Sequence, residues 1–256
     1  MKLTIEKSNT INSVETWFRI APPEGGISQW VDGRSAKEFA RYMLNEDGKM
    51  PSDIEKYIKA IGWKNSSCIC YPEMVTDFPN EFGTGCGRHH DALMVSNDWL
   101  IGVEAKVSES FDATIKDWLE AGTKNKDHGA NRKKRICESL KLITGKEYTE
   151  DELNLETIQN LRYQLISATV GTILEAKNNE KGKACLLVIE FGGDVRKEKD
   201  FDDKVSDNAE AFERYLEFLG VSDKSDFDMN IKIGEDLTLW IKKIHIDITS
   251  NKYIMK

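Results

Sequence analysis

Two strand-like runs set three turn-forming residues apart constrain this chain more than any other feature. Asp91-Ala92-Leu93-Met94-Val95 and Trp99-Leu100-Ile101-Gly102-Val103-Glu104-Ala105-Lys106-Val107 flank Ser96-Asn97-Asp98. Apolar, β-branched runs bounded by Ser, Asn and Asp predict a β-hairpin. With a two-residue loop at Asn97-Asp98, or a longer one from Ser96 to Trp99, Asp91 lies directly across from Glu104. A loop of odd length breaks this register. Side chains two residues apart share one face of a strand, so Asp91, Glu104 and Lys106 project together. Ala92, Met94, Ile101, Val103, Ala105 and Val107 fall on the other face as a core layer. Opposed carboxylates on a mostly apolar hairpin repel, and a divalent cation between them removes the repulsion.

The rest of the chain supplies the frame. Helices are predicted from about Ser35 to Asn45, after Pro51 with Ser52 as its cap, from about Asn131 to Ile143, from about Leu155 to Lys177, and around Asn208 to Leu219. Cys185 to Ile189 reads as a strand covered on both faces, and Leu237 to Ile248 as a final strand. The expected architecture is α/β. The five prolines all lie in the first 79 residues and no repeat appears, so residues 1–256 are expected to form one domain.

Charge and cysteine usage narrow the partners. The net charge of −8 repels polyanions, so affinity for nucleic acid requires bound cations or a local basic patch. Lys124, Lys126, Arg132, Lys133, Lys134 and Arg135 form the dense basic segment; it is either a phosphate-contacting patch or a solvated face. Five cysteines in a chain this long do not suggest a disulfide framework. Cys68, Cys70, Cys86, His89 and His90 raise a zinc reading, but Cys-x-Cys is not the usual zinc spacing, and buried inert thiols are the default. No run approaches the length of a bilayer span and no secretory signal is readable at the N-terminus, so no membrane partner and a cytoplasmic location are expected.

Asp91 followed by Glu104-Ala105-Lys106 resembles the Asp…Glu-x-Lys signature of the PD-(D/E)xK nuclease superfamily, the restriction-endonuclease-like fold with a central mixed β-sheet flanked by helices. Gly33-Arg34-Ser35-Ala36-Lys37-Glu38, Val103 to Phe111 and Leu161-Arg162-Tyr163-Gln164-Leu165 are similar to segments of an uncharacterised bacterial family placed in that superfamily. His90 stands where the signature has Pro. The resemblance implies a nuclease acting on nucleic acid, DNA foremost, in defence or repair; the sequence does not fix the oligomeric state, and a dimer is open. It implies Mg²⁺ or Mn²⁺ on Asp91 and Glu104 with waters completing the shell. Lys106 then stabilises charge on the phosphate or orients the attacking water. Glu38 is the candidate for a further acidic ligand. Gln164 either positions water or phosphate or satisfies buried backbone groups. The competing reading keeps the scaffold and drops the chemistry, leaving a binding or interaction module.

Overall fold

The segment Trp99–Lys106 is buried at every position, which a strand tolerates only when both neighbours and both faces are covered. It is the central strand of a seven-stranded mixed sheet. The computed structural model describes residues 1–85, 87–107, 109–122, 126–193, 201–221 and 230–248. Within these the elements are β1 Lys2–Ile5, α1 Val14–Ile20, α2 Ser35–Leu44, α3 Ser52–Ala60, β2 Ser67–Thr76, β3 Arg88–Val95, β4 Trp99–Lys106, α4 Ile115–Gly122, α5 Lys126–Thr144, α6 Glu156–Gln159, α7 Tyr163–Asn178, β5 Lys183–Gly193, α8 Phe201–Phe218, β6 Asn230–Ile233 and β7 Leu237–Ile248. The strand order is β1-β2-β3-β4-β5-β7-β6. β4, β5 and β7 run parallel, and β2, β3 and β4 form an antiparallel meander. This is the expected mixed sheet flanked by helices.

Two apolar layers cover the sheet. On one side Ala92, Met94, Ile101, Val103, Ala105 and Val107 pack with Trp17, Phe39, Met43, Ile54 and Ile58 of α1, α2 and α3. The core layer expected of the hairpin is therefore there. On the other side Leu93, Leu100, Leu186 and Val188 meet Ile136, Leu140, Leu165, Val170 and Tyr215 of α5, α7 and α8. α7 lies close on β4 because Gly102 has no side chain: a Cβ there would stand 2.0 Å from the Thr172 hydroxyl.

Several elements differ from expectation. The helix predicted over Leu155 to Lys177 is broken in two, α6 and α7, because the intervening backbone bonds elsewhere. Leu161 accepts from the Ile115 amide, and the Tyr163 amide donates to Ala113. α5 and α8 begin before the predicted Asn131 and Asn208. Ser52 makes no capping hydrogen bond; Pro51 takes the cap position. β1, β2, α1, α4 and β6 are additions to the sequence reading, whereas β7 has the predicted bounds. Among the described residues no helix is long and apolar enough to cross a membrane.

Candidate functional site

The hairpin pairs Val95 with Leu100 and continues in the expected register to Ala92↔Val103, where pairing stops. Beyond that point β3 and β4 separate, and Asp91 uses its side chain where the ladder ends: Oδ2 accepts the Ala105 amide at 2.7 Å. A cavity of about 550 Å³ opens in the gap, lined by Asp91, Glu104, Lys106, Glu73, Arg88, His89, Glu109 and Gln164, with Arg34, Ser35, Glu24 and Gln29 at its rim.

A paired change of face shapes this end of the sheet. Pro72 pairs with Ala92 and Met74 with His90, which leaves Glu73 opposite Asp91. Glu73 has φ +48°, a left-handed backbone that is strained for a side-chain-bearing residue. Plain alternation puts Met74 on the side of Cys68 and Cys70, yet Met74 packs against the opposite core. On β3, His90 and Arg88 likewise stand against α7, where Gly171 makes room; a Cβ there would meet His90 Nε2 at 2.7 Å and Arg88 Cγ at 3.0 Å. Arg88 thereby reaches the cavity.

Inside it the charges are arranged unevenly. Glu104 is 2% exposed and is held by two cations: Arg88 Nη2 donates to Oε2, and Lys106 Nζ lies 3.0 Å from Oε1. The Lys106 ammonium also sits 5.7 Å over the Phe111 ring. Burial lowers the Lys106 pKa against the attraction of Asp91 and Glu109. Burial also lowers that of Arg88, whose Nε has no hydrogen-bond partner. Glu73 is 8% exposed, and its carboxylate makes no hydrogen bond or ion pair among the described residues. Burial, and after it the Asp91 charge, push the Glu73 carboxyl up to about 8, against Lys7 and Arg88. Burial raises Asp91 as well, opposed first by the Ala105 amide and then by Lys106. His90 is held by burial well below the usual histidine range, with Nε2 2.9 Å from the Thr76 hydroxyl; it is a neutral packing residue.

The other expected residues fare differently. Gln164 lines the cavity, and its Oε1 accepts the Asp112 amide at 3.2 Å, so it satisfies backbone. Glu38 is not among the lining residues. Its Oε1 accepts from the Gly33 amide at 2.9 Å and from Arg41 at 2.8 Å, a local pairing that turns it from a ligand candidate into an anchor of the loop before α2. Of the basic segment, Lys124 lies outside the described residues, and Lys126 is described only as backbone of α5. Arg132 stacks over Trp118 at 4.6 Å, and Trp118 stacks on Tyr163 at 3.9 Å. Arg135 is buried over Phe78. Lys133 pairs with Glu150 at 3.1 Å and Lys134 donates to the Asn80 carbonyl at 3.5 Å; both are exposed. The two arginines are thus packing residues, and the two described lysine side chains of the segment, Lys133 and Lys134, are exposed with protein partners. The Cys-x-Cys pair of the zinc reading, Cys68 and Cys70, is buried in the apolar core, and burial pushes Cys68 up to about 12; Cys86 lies outside the described residues.

Among the described residues no three His, Cys, Asp or Glu side chains form a ready-made metal cage. The donors nonetheless fit a hard cation. Carboxylates from Asp91, Glu104 and the unpaired Glu73 line one cavity, and Mg²⁺ takes one or two carboxylates while keeping waters. Both Glu104 oxygens already face a cation, Oε2 the Arg88 guanidinium and Oε1 the Lys106 ammonium. Glu73, Arg88 and Glu109 join the site without a local sequence signal that marks them.

A family model described as a domain of unknown function, DUF6946, matches residues 10–248. The chain belongs to the DUF6946 family. The match takes in all seven strands except β1 and the whole of the cavity lining. No curated protein and no solved structure matches this DUF6946 chain.

Proposed function

We propose that this DUF6946 chain is a Mg²⁺- or Mn²⁺-dependent nuclease that hydrolyses phosphodiester bonds, with DNA as the first substrate to test. The observation that carries the reading is the meeting of Asp91, Glu104 and Lys106 in one cavity at the open end of the hairpin, with the Lys106 ammonium on Glu104. Asp91 and Glu104 would hold the cation, which supplies a water of lowered pKa and offsets charge on the phosphate. Asp91 is oriented for this by the Ala105 amide. Lys106 is kept in place by Glu104 and Phe111, so its charge faces the cavity without a reorganisation cost at the moment of reaction. Gln164 fixes the wall formed by residue 112. A cytoplasmic setting in defence or repair suits the activity.

One observation favours a second reading, a binding module on a nuclease-like scaffold: Arg88 and Lys106 already neutralise Glu104 without any metal. The deciding experiment is incubation of the full chain with single-stranded DNA, duplex DNA and RNA in millimolar Mg²⁺ or Mn²⁺, beside Asp91→Ala and Lys106→Met. Metal-dependent cleavage by the native chain, reduced about 10²- to 10³-fold in Lys106→Met, is expected. Absence of cleavage on all three substrates gives the molecule to the binding reading. Cleavage undiminished in Lys106→Met moves the site elsewhere.

A further inference from the structure

Resting on the nuclease-type cation site proposed above, we infer that Arg88 is a built-in counter-ion with two seats: it occupies Glu104 before the cation arrives and moves to Glu73 when the cation takes Glu104. Three observations converge on this. First, the Arg88 guanidinium is seated on Glu104, the residue whose oxygens a divalent ion needs. Second, the seat is incompletely satisfied, since the Arg88 Nε is buried without a partner, and a buried donor left unpaired is costly. Third, an acidic side chain without a side-chain partner lies in the same cavity. Glu73 is nine-tenths buried and its carboxyl has no hydrogen-bond or ion-pair partner among the described residues; Lys7 beside it donates to the Glu73 backbone carbonyl at 2.8 Å.

The other acidic partners open to Arg88 are already engaged. Asp91 is committed to the Ala105 amide, and Glu109 to the amides of Ser35 and Val107. Lys106 is anchored over Phe111 on its own strand. The Arg88 stem passes over Gly171, where a Cβ would stand 3.0 Å from its Cγ, so the backbone of α7 admits the arginine to the cavity. An arginine that stays in the cavity after leaving Glu104 keeps its charge where a polyanion would enter, which a departing solvent cation would not do.

The test is a double-mutant cycle on Mn²⁺ affinity, measured by titration calorimetry or electron paramagnetic resonance on the full chain without substrate. Arg88→Met removes the competitor, and the Mn²⁺ dissociation constant should fall about tenfold. Glu73→Gln removes the second seat, and the constant should rise about tenfold in the native background but change less than about twofold beside Arg88→Met. Equal effects of Glu73→Gln in both backgrounds would mean that Glu73 ligates the ion directly, and would overturn the two-seat inference while leaving the cation site standing. So would an Arg88→Met protein that binds Mn²⁺ no tighter than the native chain. Mn²⁺ binding by Arg88→Met alone supports the inference in its strongest form, with Arg88 as the block. If neither protein binds Mn²⁺, the cation site itself is refuted and the inference with it. Should Arg88→Met fail to fold, Arg88→Lys serves in its place: it keeps the charge but loses the fork that grips a carboxylate, and it should bind Mn²⁺ more tightly than the native chain. Weaker binding by Arg88→Lys overturns the inference.

Discussion

The turn end and the open end of the β3–β4 hairpin use the same two strands for opposite purposes. From Ala92↔Val103 to Val95↔Leu100 the strands are paired, apolar and covered on both faces. A few residues further on the pairing has ended, and Asp91, Glu104, Lys106, Arg88 and Glu73 crowd around a cavity. The comparison teaches that the charged end is held by the apolar one. Unpaired buried charges cost several kcal/mol each in principle, and they persist only where the surrounding packing over-determines their place. The closed end meets that condition through the approach of α7 to Gly102.

The comparison can be broken most severely at the closed end. Gly102→Val sets a side chain where Thr172 stands and should lower the unfolding free energy by about 3 kcal/mol, read from urea denaturation. A loss below about 1 kcal/mol would show that α7 is free to move away and does not brace the site.

Next in size is the response of the open end to metal. At a hundredfold excess over its dissociation constant, Mg²⁺ or Mn²⁺ should stabilise the native state by about 2.7 kcal/mol, roughly 5 to 10 °C in melting temperature. Asp91→Ala should abolish the increment. A melting curve indifferent to millimolar metal in the native chain would leave the crowding of carboxylates without a partner.

The smallest expected effect is pH-dependent and belongs to Glu73. Its carboxyl is pushed up to about 8 in the fold, so the native state holds this proton more tightly than the unfolded chain. Stability from this group therefore falls as pH rises from the ordinary carboxylate range towards about 8, and the full penalty stands above it. Glu73→Gln cannot ionise. Without metal it should melt roughly 2 to 4 °C higher than the native chain at pH 9 and no higher at pH 4. A gain of the same size at both pH values would point to packing and not to charge.

What the sequence disclosed follows the range of the forces involved. The hairpin and its register were legible because apolar alternation and a Ser-Asn-Asp turn are local signals. Glu73 was hidden by Pro72, which demotes a run from strand to loop in any sequence reading, and by a left-handed φ that no local pattern announces. Glu38 has a partner that spacing alone does not single out: Arg41 lies one turn along α2 and pairs with the carboxylate. The break between α6 and α7 depends on Leu161 meeting Ile115, a contact the apolar period of Leu155 to Lys177 does not encode. The basic segment looked uniform in sequence, but Trp118 and Phe78 recruit Arg132 and Arg135 from it.

The place of β4 in the sheet also sets the order in which this molecule can come into being. Its partner on one side, β3, is synthesised just before it, but on the other side Glu104 is in register with Val188 and Lys106 with Glu190 of β5, and Glu190 in turn with His245 of β7. Closing such long loops is slow relative to forming a hairpin. A nascent chain that has emerged only as far as α7 already carries Asp91, Glu104 and Lys106, but β4 is still an edge with one side unpaired. The cavity walls therefore set only after the last third of the chain has docked, and truncations ending before Lys183 should expose a sticky sheet edge during synthesis.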